Sequence, residues 1–136
     1  MSDPIQILLI EDNQGDADII KELLIDTGIA HSLTWLDNGE KAIEFFNEGR
    51  ETDLVILDIK LPRVSGHEIV EFLRRRGIST TIPVIVLTGS NSPVDQESAK
   101  QNGVVCYLIK PMTIEEMEKM TITLMEILLG RRSCNC

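Results

Sequence analysis

The chain has 136 residues and a formal net charge of −9, and it is 43% hydrophobic but only 4% aromatic. That length fits one domain, with a core of Ile, Leu, Val and Met suited to a parallel sheet covered by helices. The acidic balance argues against nucleic acid and anionic membranes as partners. No stretch approaches the roughly 20 apolar residues of a membrane span and no signal peptide is visible, so a cytoplasmic location is expected.

Strand-like and helix-like runs alternate five times. A strand is expected over 5–10, ending on Glu11 and Asp12, then a helix over 14–27 stopped by Gly28. A strand over 32–36 and a helix over 39–48 follow. Leu54, Val55, Ile56 and Leu57 read as a buried strand over 54–58 that delivers a lone acid, Asp58. A turn holding Pro62 and Gly66 leads into a helix over 65–76, whose last turn carries Arg74, Arg75 and Arg76, cations that match the helix dipole and read as solvated. The next strand, 84–88, ends on Thr88. Ser92 and Pro93 open a helix over 92–102, which Gly103 closes. The last strand, 105–109, runs into Lys110 and Pro111, and Thr113 with Glu116 makes a capping box for a helix over 113–129.

This alternation is the pattern of an α/β doubly wound parallel sheet, which keeps its chemistry outside the carboxyl ends of its strands. Each such residue also has a plainer account. Asp58 could cap a turn, Glu11 and Asp12 could cap the first helix, Thr88 could be a β-branched strand residue, and Lys110 the exposed end of an edge strand. Their joint occurrence at four strand ends outweighs those separate accounts.

The ordered set Glu11-Asp12, Asp58 with Pro62 and Gly66, Thr88, and Tyr107-x-x-Lys110-Pro111 resembles the response-regulator receiver domains of two-component signalling, single-domain CheY-like type. The resemblance runs from about Ile5 to Leu129. It implies one receiver domain over 1–129, a short tail over 130–136, and a flavodoxin-like sheet of five strands in order 2-1-3-4-5 flanked by five helices. In that order the first and third strands are neighbours, so Glu11, Asp12 and Asp58 converge; three carboxylates that close call for a cation, and hard oxygen ligands select Mg²⁺. The resemblance adds the backbone carbonyl of Lys60 as a metal ligand, Asp58 as phosphoacceptor, Lys110 and Thr88 as partners of the phosphoryl oxygens, and Thr88 with Tyr107 as the switch. It also implies a cis Lys110-Pro111 bond. The stretches EDNQGDAD and LTGSNSPVD resemble a subgroup of stand-alone receivers associated with sensor kinases such as phytochromes.

The implied partners are a sensor histidine kinase and a downstream protein target or phosphotransfer protein, reached through a face of helix 4, strand 5 and helix 5 that could also form a homodimer. The implied protein is a phosphoacceptor switch rather than an enzyme; a phosphotransfer intermediate or phosphate sink is the alternative. A Mg²⁺-dependent phosphatase of the haloacid-dehalogenase type is disfavoured, because Lys60 stands where its second acid would be. On the last helix, Ile114, Met117, Thr121, Leu124, Met125 and Leu128 are expected to face the core, leaving Met120, Ile122, Ile127 and Leu129 for a partner. His31 and His67 read as surface residues. Three cysteines make no disulfide framework: Cys106 falls in a buried strand, and Cys134 and Cys136 in a tail without a role.

Overall fold

The computed structural model describes residues 3–131. Its elements follow the expected alternation: β1 (Ile5–Ile10), α1 (Gln14–Asp26), β2 (His31–Leu36), α2 (Gly39–Asn47), β3 (Leu54–Leu57), α3 (Gly66–Arg75), β4 (Val84–Thr88), α4 (Pro93–Gln101), β5 (Cys106–Ile109) and α5 (Ile114–Leu128). All strand pairs are parallel, and the order is β2-β1-β3-β4-β5.

The strands are apolar on both faces because both faces are covered. Leu8, Ile10, Val55, Leu57, Val84 and Val86 point into a layer made by Phe45 and Phe46 of α2, Ile69, Val70 and Leu73 of α3, and Ala99 of α4. Ile7, Leu9, Ile56, Ile85 and Leu87 point the other way, against Ala17, Ile20, Leu23 and Leu24 of α1 and Leu124 of α5. The period of two along each strand thus sorts neighbouring residues into opposite layers.

The capping signals are all used. Ser92 accepts from the Asp95 amide, and Thr113 and Glu116 form the reciprocal box. Gly28 and Gly103 follow their helices with positive φ, where a side chain would strain the backbone. A short 3-10 helix, Ile78–Thr80, joins α3 to β4 and was not expected.

Several expectations need correction. On α5 only Leu124 is fully buried, while Met117, Met120, Ile127 and Leu128 pack against the core; Ile114 is 76% exposed. The inward stripe therefore includes Met120 and Ile127 and leaves out Ile114 and Met125, because α5 packs along α1 and presents one narrow stripe. No cis peptide occurs among the described residues, so Lys110-Pro111 is trans, the ordinary state of an X-Pro bond. The arginines closing α3 are engaged as well as exposed: Arg74 with Asn102, Arg75 with Glu71, and Arg76 with Asn47. Cys106 is buried in β5, as expected. Cys134 and Cys136 lie outside the described residues.

Candidate functional site

At the carboxyl rim of the sheet, β1 delivers Glu11, β3 delivers Asp58, β4 ends on Thr88, and β5 delivers Lys110. Their backbones are fixed by continuing ladder bonds: Glu11 N–H to Leu36 O, Asp58 N–H to Ile10 O, and Lys110 N–H to Thr88 O. Gly66 is required beneath them, since a Cβ there would collide with the Asp58 carbonyl and the Cα of Ile59. Only glycine lets α3 start so close to the strand end.

Asp58 is 4% exposed, and donors from three elements fill its carboxylate. The Thr88 hydroxyl donates to Oδ1 at 2.6 Å, the Lys60 amide donates to Oδ1 at 2.9 Å, and the Lys110 ammonium donates to Oδ2 at 2.6 Å. Lys110 Nζ also contacts Glu11 Oε1 at 2.7 Å and donates to Asp16 Oδ2 at 2.7 Å. Burial pushes the Lys110 ammonium down, but Asp16, Asp58 and Glu11 outweigh it and hold the group above the ordinary lysine range.

Glu11 is 1% exposed, and burial raises its carboxyl to about 7 despite the contact with Lys110. Lys110 offsets this only in part, because one ammonium is divided among three carboxylates. Glu11 Oε2 accepts from the Asn13 amide, whereas Oε1 faces the Lys110 ammonium as an ion pair. Glu11, Asp12 and Asp58 each offer an oxygen, and these oxygens lie within 4.8 Å of one another. Three hard carboxylate ligands this close, two of them buried and served by one shared ammonium, fit a divalent cation.

Five of the expected residues, Glu11, Asp12, Asp58, Thr88 and Lys110, therefore meet at one rim. Lys60 joins them through its amide, while its ammonium turns out to Asp95 at 3.8 Å. Tyr107 stands apart from the acids, 9% exposed, with its hydroxyl donating to Ser90 O at 2.8 Å. Burial raises its phenol above the ordinary range. Ser90 also links back to the rim, its amide 3.4 Å from Thr88 Oγ1, and its hydroxyl donates to Asp95. Asp95 in turn meets His67 Nε2 at 2.9 Å, so His67 is a bridge between α3 and α4 rather than a free surface residue. Hydrogen bonds from Ser90 and His67 hold the Asp95 carboxyl below its usual range.

Asp16 is the contact sequence reading missed. The signal was available: it lies four residues beyond Asp12, in the first turn of a helix that starts at this rim. Trp35 was also missed; its Nε1–H donates to Glu11 O at 2.8 Å.

Comparison with known proteins identifies the family. The sequence model of the response regulator receiver domain matches residues 7–122. The chain is 37% identical to the probable methanogenesis regulatory protein FilR2 of Methanothrix harundinacea, over 94% of this chain and 86% of that one. It is 32% identical to the response regulator Rcp1 of Synechocystis, over 86% of this chain and 84% of that one. The crystal structure of the Mn²⁺-bound form of Rcp1 superposes with a TM-score of 0.84 at 29% identity, covering 98% of this chain and 100% of that chain.

Proposed function

The chain belongs to the response regulator receiver domain family, and from that premise we propose that Asp58 is its phosphoacceptor, charged by a sensor histidine kinase. The observation that carries this reading is the convergence of Lys110, Thr88 and the Lys60 amide on one buried carboxylate. The Lys60 amide alone is the bond of a local turn, but the two further donors, Thr88 and Lys110, come from separate elements and exceed what a turn or helix cap needs.

In the proposed reaction one Asp58 oxygen bonds to phosphorus as the P–N bond to the kinase histidine breaks, the electron pair leaving with the imidazole. Phosphoryl transfer leaves the protein mainly positioning and charge neutralisation to do. Lys110 supplies a compact cation to one phosphoryl oxygen, and the Thr88 hydroxyl turns from Asp58 to another. Glu11, Asp12, Asp58 and the Lys60 carbonyl would hold Mg²⁺, which when bound supplies positive charge to the phosphoryl oxygens. The relative's Mn²⁺-bound form supports a divalent ion.

Output is proposed to run from Thr88 through Ser90 to Tyr107 and α4. The inward tyrosine and the 2.6 Å bond from Thr88 to Asp58 together fit the engaged position of such a switch. Beside Tyr107, a cleft of about 300 Å³ lined by Pro93, Gln96, Lys100, Val104 and Val105 offers a seat for a downstream protein. The same face is the proposed route to a homodimer, which sedimentation across protein concentration, with and without phosphorylation, tests.

Incubation with Mg²⁺ and acetyl phosphate tests the acceptor. The native chain is expected to gain one phosphoryl group by mass, and Asp58→Asn none. An adduct that persists in the variant refutes the assignment.

A further inference from the structure

We infer that Asp16, on the first turn of α1, is the positioning residue for Lys110, anchoring its ammonium throughout phosphoryl transfer to Asp58. This inference rests on the reading of Asp58 given above and deepens it.

Lys110 ends β5 on a flexible four-carbon stem, so its backbone bond to Thr88 O fixes the origin of the side chain but not the ammonium. Its three carboxylate partners differ in what transfer does to them. Asp58 becomes an acyl phosphate, and its charge moves outward onto the phosphoryl oxygens. Glu11 belongs to the three acids whose oxygens lie within 4.8 Å of one another, so a bound cation competes for it. Asp16 lies outside that set and forms no bond to phosphorus. It is the one partner that Lys110 keeps before, during and after the reaction, at 2.7 Å.

Asp16 is itself well placed to act as an anchor. Its amide donates to Asn13 Oδ1 at 2.9 Å, the bond that caps α1, so its backbone is locked to the loop carrying Glu11 and Asp12. The Asp16 side chain is 40% exposed and that of Lys110 is 18% exposed, so Asp16 closes the outer side of the ammonium. An acid in the first turn also suits the helix dipole, which is the plainer account of Asp16. That account gives Lys110 no part, and the two can therefore be separated.

The test is the rate of phosphorylation by acetyl phosphate with saturating Mg²⁺, followed by mass, alongside Mg²⁺ affinity by calorimetry. Asp16→Asn is expected to lower the rate at saturating donor at least about fivefold while changing Mg²⁺ affinity less than about twofold. Asp16→Glu should recover much of the loss. In a Lys110→Ala background, Asp16→Asn should change the rate less than about twofold, because the residue it positions is gone. A native rate in Asp16→Asn overturns the inference. So does an equal fold-loss with and without Lys110, which would mark a helix or field effect, or a loss of Mg²⁺ affinity matching the loss of rate, which would mark a metal ligand. Asp58→Asn keeps the two levels apart. An adduct surviving in that variant fails the reading beneath, whereas Asp58-dependent labelling with native kinetics in Asp16→Asn fails the inference alone.

Discussion

The cost of assembling this site is concentrated at Glu11. Its carboxyl titrates at about 7 in the folded chain against an ordinary 4.5, because burial penalises the anion. The folded state therefore holds the proton more tightly than the unfolded one between those values. Stability falls as pH rises through that window, and the full penalty, on the order of 3 kcal/mol, is present above it. Without divalent cations, Glu11→Gln is expected to unfold at higher urea than the native chain at pH 8 and at nearly the same urea at pH 4.5. Equal midpoints at pH 8 would contradict this account. At this scale the sequence named Glu11, Asp12, Asp58, Thr88 and Lys110, because a residue one step beyond a buried strand has only the rim to occupy. It did not disclose Asp16, whose role depends on which side of a long lysine is left open, nor the Ser90–Asp95–His67 chain, which depends on the distance between two helix starts.

Helices and strands were legible wherever local chemistry fixes a boundary. Ser92-Pro93, the Thr113–Glu116 box and the glycines after α1 and α4 act within one turn, and each element end falls where they place it. The 3-10 helix Ile78–Thr80 is too short for periodicity to register. The buried stripe of α5 was misjudged because several helical stripes of that apolar segment look alike until its neighbour α1 selects one. Leu124→Ala is expected to cost about 2–5 kcal/mol, as truncation of a fully buried leucine does, whereas Ile114→Ala should stay within about 0.5 kcal/mol. Chemical denaturation of the two variants measures both, and a large loss for Ile114→Ala would restore the expected stripe.

For the whole molecule, a divalent ion held by the acids at the rim would link its binding to folding. An ion that binds only the folded site stabilises it by about 2.7 kcal/mol at one hundred times its dissociation constant. Thermal unfolding with Mg²⁺ at pH 8 should shift upward, and the shift should shrink in Asp12→Asn, which removes one of the three clustered carboxylates. An equal shift in that variant would take Asp12 out of the ion's ligand set. The fold makes this coupling direct: the strands that carry Glu11 and Asp58 are hydrogen-bonded neighbours at the centre of the sheet, while Lys110 reaches in from the β5 edge.

The indole of Trp35, the chain's sole tryptophan, gives its N–H to the Glu11 carbonyl and lies beneath the Lys21 ammonium, 4.4 Å from the ring centroid. Its excited state is thus held between two local fields, one of them tied to the peptide that carries the most strongly perturbed acid. The molecule contains its own optical gauge. Ultraviolet emission should track ion docking and aspartyl-phosphate turnover in real time, with no dye attached.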